Sequence, residues 1–207
     1  MRLDSTFYSE SDVVMMAKSL LGKKLVTNIN GECTAGLIVE TEAYRGHDDK
    51  GCHANRHGLT PRTATIFGPC GHVYMYICYG MHPMLNIVVG DSGQADAVLI
   101  RAIEPVDNID ILQRRRSMEK LSKSLTNGPG KLAVSLGLSK SQNATCLFDE
   151  DSDIWIENAD SVEINDIYAG PRVGMSIFVA ECSNWAWRFY IKGNPWVSKP
   201  SHIEYPW

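Results

Sequence analysis

The sequence predicts an α+β fold with a largely antiparallel sheet, on three observations. Asn30-Gly31 separates two runs of strand character, Lys24 to Asn28 and Thr34 to Tyr44, and Asn-Gly suits the tight turn that twisted antiparallel strands require. A second hairpin pattern follows, with His72 to Tyr79 as one strand, Gly80 to Pro83 as its tip and Leu85 to Val89 as the return. The remaining helical and strand patterns are mixed, with no internal repeat, low-complexity tract or linker between them.

The other elements follow in chain order. Ser9 or Ser11 is expected to cap a helix over Asp12 to Leu21, where Val13, Met16, Ala17 and Leu20 keep helical spacing and Gly22 is the stop. Along the second strand, alternation puts Leu37, Val39 and Thr41 on one face and Ile38, Glu40, Glu42 and Tyr44 on the other. Arg45 to Thr63, rich in Gly, His and charge, is expected to be a long surface loop of the kind that carries function. Further strands are expected at Ala97 to Ile103, Ile154 to Glu157, Ser176 to Val179 and Arg188 to Ile191. A helix capped by Asp107 is expected to carry Ile111, Leu112, Met118, Leu121 and Leu125 and to break at Asn127-Gly128-Pro129-Gly130. At 207 residues and 44% hydrophobic content the chain suffices for one substantial core, so a single domain over residues 1–207 is expected.

Composition narrows the function classes. The first twenty residues include Glu10, Asp12 and Lys18 and no long apolar run, which reads as neither a signal peptide nor a membrane span and implies a cytoplasmic protein. Six cysteines without a C-x-x-C pair argue against a zinc ribbon or a thioredoxin-type centre. His53 and His57, with Cys52, Cys70 and His72 nearby, fit no standard metal spacing, so no metal is expected. A P-loop and a G-x-S-x-G elbow are both missing. The formal charge of −4 is not that of a typical phosphate binder, yet Arg114, Arg115, Arg116, Lys120, Lys123 and Lys131 cluster, whereas Asp149 to Asp166 holds acids without Lys or Arg. That cluster reads either as a basic face or as an ordinary solvated segment.

The chemistry-bearing segment is Glu40-Thr41-Glu42-Ala43-Tyr44, where an apolar strand runs into two carboxylates at the edge of a core. A Glu placed there is suited to acid or base work, although a pair of acids in surface ion pairs has the same pattern. Tyr74, Tyr76 and Tyr79 offer aromatic faces to a flat ligand, or simply pack a strand.

These motifs together resemble the alkyladenine (3-methylpurine) DNA glycosylase family. The resemblance rests on I-V-E-T-E-A-Y at 38 to 44, His53, T-P-R at 60 to 62, Y-x-Y-I-x-Y-G-M at 74 to 81, Asn86 and R-A-x-E-P at 101 to 105. It continues through G-P-x-K at 128 to 131, R-V-G at 172 to 174 and R-F-Y-x-x-G-x-P-W-V-S at 188 to 198, nearly the whole chain. It implies a curved antiparallel sheet carrying the pocket, and a monofunctional glycosylase acting on damaged purines in double-stranded DNA. It implies no cofactor, no metal and no membrane partner, and we expect a monomer. By the same resemblance Glu42 is the general base for the attacking water, and Arg101 is a polar group beside that water and the sugar-phosphate backbone. Tyr44, Tyr76 and His53 sandwich and contact the flipped base, Asn86 opposes the exocyclic amine of guanine, and Tyr79, with Met81 beside it, fills the gap in the DNA stack. Cys52 departs from the small residue, such as alanine, expected before that histidine. Two rivals are a damaged-DNA-binding protein without catalysis and a carbohydrate glycosidase that pairs Glu40 with Glu42.

Overall fold

Two hairpins joined through a central strand organise the molecule. The computed structural model describes residues 1–175 and 180–198. Among these, β1 (Lys24–Ile29) and β2 (Glu32–Tyr44) form the first hairpin, and β3 (Val73–Cys78) and β4 (His82–Val89) the second. β5 (Asp96–Asp107), β6 (Ile154–Glu157), β7 (Ile167–Gly170) and β8 (Arg188–Ile191) complete one eight-stranded sheet. Its order is β3-β4-β5-β2-β1-β6, and every pairing is antiparallel. β2 is central: β5 runs along one edge, while the other edge is shared by β1 at one end and β8 at the other, with β7 outside β8.

The first turn has the expected chemistry. Ile29 pairs with Glu32 around Asn30 at φ 56° and Gly31 at φ 79°, the two positive dihedrals that Asn-Gly tolerates best.

Six α-helices lie among the described residues, α1 (Ser5–Tyr8), α2 (Val13–Ser19), α3 (His53–His57), α4 (Ile109–Arg115), α5 (Pro129–Ser135) and α6 (Ala180–Ser183). α2 buries Val13, Met16 and Ala17 in the main core; it is shorter than the expected Asp12 to Leu21, ending at Ser19 with Leu20 as its C-terminal cap, and the chain turns away at Gly22 (φ 79°). Its N-terminal cap is Asp12 rather than Ser9 or Ser11: the carboxylate accepts from the N–H groups of Val14 and Met15, which satisfies two orphan donors and places negative charge at the helix start. The helix expected from Asp107 to Leu125 is a single short one. Asp107 belongs to β5 and pairs with Lys24, Asn108 stands at the helix start, and Ser117 turns left-handed (φ 51°), so the helical period breaks before Met118. Leu125 reaches the core on a 3₁₀ turn over Lys123–Leu125, whereas Leu121 stays exposed. The stretch read as a break opens α5 instead, because Pro129 needs no hydrogen-bond acceptor in the first turn.

Three further differences concern the sheet and its loops. The tip expected over Gly80 to Pro83 is shorter, since His82 and Pro83 already pair with Cys78 and Ile77. Arg45 to Thr63 is a loop that contains α3, and β7 is a short strand with no marked sequence pattern. The strand expected at Ser176 to Val179 lies outside the described residues. No helix among the described residues is long and apolar enough to cross a membrane.

Of the three register shifts between β2 and β5, two fall together at a decisive place. Ile38 pairs with Ile103 and Glu40 with Ala102, so Val39 is an extra residue in β2; Glu40 pairs with Ala102 and Thr41 with Ile100, so Arg101 is an extra residue in β5. Each bulge shifts the phase of its strand. Ile38 therefore faces the main core with Ala43, and Thr41 donates its hydroxyl to the Ala17 carbonyl of α2, 2.8 Å away. Glu40, Glu42 and Tyr44 face the opposite side without Ile38, and Arg101 is aimed at them.

Candidate active site

The paired bulges build a buried ionic cluster. Glu40 and Glu42 are both fully buried, and Arg101, 6% exposed, reaches both: its Nε donates to Glu40 Oε1 at 3.0 Å, and its Nη1 lies 3.3 Å from Glu42 Oε1. A buried carboxylate is costly unless every oxygen is paired, and the two acids meet that demand in different ways. Glu40 also accepts from Arg188 Nε at 2.6 Å, the Ser198 hydroxyl at 2.8 Å and the Ser198 N–H at 2.6 Å. It binds β5, β8 and the segment after β8 to β2, and its oxygens are committed to the fold. Glu42 accepts from the Tyr44 hydroxyl at 2.8 Å and the Val173 N–H at 2.7 Å. Tyr44, Arg101 and Val173 all line one open cleft of about 1410 Å³, so Glu42 is buried directly behind three cleft residues. Burial first, and then the Glu42 charge, pushes the Tyr44 phenol well above its ordinary range, so it stays a donor.

Sharing Tyr44, Gly51, His53 and Tyr76 with the cleft is a smaller pocket lined also by Cys52, Tyr74 and Asn86, with Ile66 and Ala97. β2 supplies Tyr44, α3 supplies His53, and the second hairpin supplies Tyr74, Tyr76 and Asn86. The His53 ring meets Tyr76 edge to face with centroids 4.5 Å apart, and its Nδ1 lies 3.1 Å from the Tyr74 hydroxyl. Burial, followed by the positive charges of Arg62, His57 and Arg56, lowers the His53 pKa to about 4, so the ring is uncharged at neutral pH. Burial likewise raises the Tyr76 phenol. Asn86 donates Nδ2 to the Tyr74 carbonyl at 3.1 Å, which fixes its amide at the pocket wall. Cys52 is buried in that wall, and desolvation raises its thiol to about 11, making it an uncharged, unreactive surface.

Tyr79 stands at the tip of the second hairpin, 85% exposed, with Met81 70% exposed beside it. Tyr79 (φ 50°) and Gly80 (φ 74°) both have positive φ, and the Met81 N–H returns to the Cys78 carbonyl at 3.2 Å. A bulky aromatic in left-handed backbone is disfavoured, so the turn holds this ring outward against its local preference.

The basic cluster resolves differently. Arg114 and Arg115 both pair with Glu32, and Arg115 also donates to Thr34, Ile29 and Ser135; these arginines brace the first hairpin. Arg56 and Arg62, with Arg101, are the cations that line the cleft. Among the described residues no group of three or more His, Cys, Asp or Glu is arranged to hold a metal ion, and His53, His57, Cys52, Cys70 and His72 do not form one.

Two parts of the site carried no sign of their role in the residues alone. The Val173 amide is a backbone donor, invisible to side-chain patterns, and its neighbour Arg172 pairs with Asp49, 123 positions earlier. The R-V-G motif marked the place without revealing the contact.

Comparison with known proteins covers nearly the whole chain. The family model described as methylpurine-DNA glycosylase matches residues 6–195. A protein of Clostridium acetobutylicum is 43% identical over 206 residues, covering 96% of this chain and 98% of its own. One from Prosthecochloris aestuarii is 42% identical over 203 residues (98% and 93% covered), and one from Bacillus cereus 40% over 207 (96% and 100%). All three are named as candidate 3-methyladenine DNA glycosylases. On the family model and the extent of these identities, the chain belongs to the methylpurine-DNA glycosylase family.

Proposed function

We propose that this chain is a monofunctional DNA glycosylase of base excision repair, which flips alkylated or deaminated purines out of duplex DNA and hydrolyses their N-glycosidic bond. The class of lesion comprises 3-methyladenine, 7-methylguanine, hypoxanthine and ethenoadenine. The observation that carries the reading is Glu42, buried behind Tyr44, Arg101 and Val173 at an aromatic pocket.

In this reading the damaged base leaves the stack and enters between Tyr44, His53 and Tyr76, while Tyr79, flanked by Met81, fills the gap. Extrusion costs about a few kcal/mol, least where damage has already weakened pairing. The uncharged His53 does not repel a purine made cationic by ring alkylation, and tyrosine faces attract it. A water on the cleft side of Glu42 attacks C1′ as the C1′–N9 bond breaks; the bonding electrons leave with the purine, and Glu42 takes the water's proton. Its negative charge also stabilises the positive charge that develops on the sugar, and Arg101 holds the carboxylate in place. Asn86 excludes undamaged guanine by opposing its exocyclic amine. Residues 1–207 act as one domain, as a monomer, without metal or cofactor. Glu40 argues against a carbohydrate glycosidase, because its ion pairs with Arg101 and Arg188 commit it to the fold and, among the described residues, no second carboxylate lines the cleft.

The test is release of free base from duplexes carrying each lesion. Glu42→Gln is expected to bind a lesion-bearing duplex normally and to lose on the order of 100- to 10,000-fold in release, the range of a general base. Unimpaired release by this variant removes Glu42 from its role, and no release of any lesion by the parent removes the glycosylase reading. Glu40→Gln is expected to lower thermal stability more than chemistry. Asn86→Ser is expected to raise release of undamaged guanine relative to methylated adenine; an unchanged ratio contradicts its assignment.

A further inference from the structure

We infer that Arg172, locked by Asp49, is a positioning residue that sets the catalytic carboxylate and one wall of the base pocket together. The inference rests on the glycosylase reading above and concerns residues to which that reading gives no part.

Arg172 is 4% exposed and Asp49 fully buried. The guanidinium grips both Asp49 oxygens, Nη2 to Oδ1 at 2.7 Å and Nη1 to Oδ2, in the two-pronged geometry that fixes a planar group in orientation as well as position. Nη1 also donates to the Ala43 carbonyl at 2.9 Å, and Ala43 lies between Glu42 and Tyr44 on β2. The guanidinium carbon is 4.6 Å from the centre of the Tyr44 ring and 5.5 Å from that of Trp187. Arg172 does not line the pocket whose wall is Tyr44, so it backs that ring from outside. The next residue, Val173, donates its N–H to Glu42.

The other half of the pair reaches the opposite wall. Asp49 Oδ1 accepts from the Gly51 N–H at 2.9 Å, and its carbonyl accepts from the Cys52 N–H at 2.8 Å, immediately before His53. One buried ion pair therefore ties the Tyr44 strand, the turn before His53 and the Val173 amide into one unit. A surface pair would hold nothing to this precision, and a purely stabilising buried pair would not converge on both pocket walls and the catalytic carboxylate. Loss of the fork lets the Val173 N–H and the Tyr44 ring shift, and a shift of about 1 Å at a reacting centre costs on the order of 100-fold in rate.

The test is a double-mutant cycle on single-turnover release of 7-methylguanine, a labile lesion, at saturating enzyme. Asp49→Asn and Arg172→Lys are each expected to slow release on the order of 100-fold in the parent background. In a Glu42→Gln background the same changes are expected to cost several-fold at most, because a carboxylate that no longer works cannot be misplaced. Arg172→Lys is expected to retain less activity than its thermal melting suggests, since it keeps the charge and loses the fork. Equal losses in both backgrounds, or losses that merely follow the folded fraction, overturn the inference and leave a structural ion pair. If Arg172→Lys does not fold, Asp49→Asn, which keeps the shape, carries the same comparison. Absence of release by the parent overturns the glycosylase reading instead.

Discussion

Both hairpins of the sheet turn through two consecutive residues of positive φ with opposite choices of residue, in a two-residue loop at the first and a three-residue loop, Tyr79 to Met81, at the second. At the β1–β2 turn the two positive dihedrals belong to Asn30 and Gly31, the pair that adopts them at least cost. At the β3–β4 turn they belong to Tyr79 and Gly80, and the tyrosine ring is 85% exposed. Left-handed backbone costs a bulky residue about 1–2 kcal/mol, and exposure gives the ring no burial in return. The first turn is chosen for folding. The second turn holds a ring outward at the mouth of a cleft, where it gains little burial among the described residues, in keeping with the DNA contact proposed for it.

The comparison can be broken most decisively at Tyr79. Tyr79→Ala is expected to lower the flipped population of a fluorescent lesion base tenfold or more, because unstacking costs about a few kcal/mol and alanine cannot fill the gap. Its melting temperature is expected to stay near that of the parent. A sharp fall in melting with unchanged flipping would make Tyr79 a packing residue.

Exchanging the two choices sharpens the contrast. Tyr79→Asn is expected to stabilise the fold by about 1 kcal/mol, or roughly 2–4 °C, while flipping is lost. Asn30→Tyr is expected to destabilise it by a similar amount with base release per folded molecule unchanged, since Asn30 is at the far end of the 13-residue β2 from Tyr44. Calorimetry and base release on the same samples check both. If Tyr79→Asn melts lower than the parent, the strain at the second turn is not real.

A further effect is one of pH, and it belongs to the second hairpin's partner. His53 packs on Tyr74 and Tyr76, with its pKa lowered to about 4 in the fold against an ordinary value near 6.5. Between those values the unfolded chain binds the proton first, so stability is fully present above about pH 6.5 and declines as pH falls toward 4. His53→Gln is expected to flatten that part of the stability profile. The Asn30-Gly31 hairpin has no such group, and changes there are expected to leave the slope intact. An unaltered slope in His53→Gln would place the titration elsewhere.

Much of the site was legible because its residues lie near one another in sequence or on obvious strands. The I-V-E-T-E-A-Y run placed Glu40, Glu42 and Tyr44 on one face of β2, and the tyrosine pattern placed Tyr74 and Tyr76 on the next hairpin. What separated the two acids was not legible. Glu40 and Glu42 are alike in type and spacing, and only Arg188 and Ser198, brought in from about 150 positions away, commit Glu40 to the fold. The bulges at Val39 and Arg101 were equally hidden, because an extra residue leaves no mark on composition and shows only when two strands are laid side by side.

The sequence by itself determined the antiparallel hairpins, the buried faces of the strands away from the bulges, the first turn and the family. These depend on local dihedral preference and on periodicity, which act between near neighbours. Only the tertiary structure decided where α4 stops, that α5 begins at Pro129, that Arg114 and Arg115 brace a hairpin, and that Asp49 meets Arg172. The last two are contacts between groups whose separation along the chain is unrelated to their separation in space. For Asp49 and Arg172, burial without water made pairing obligatory, and the folded shape alone supplied the partner.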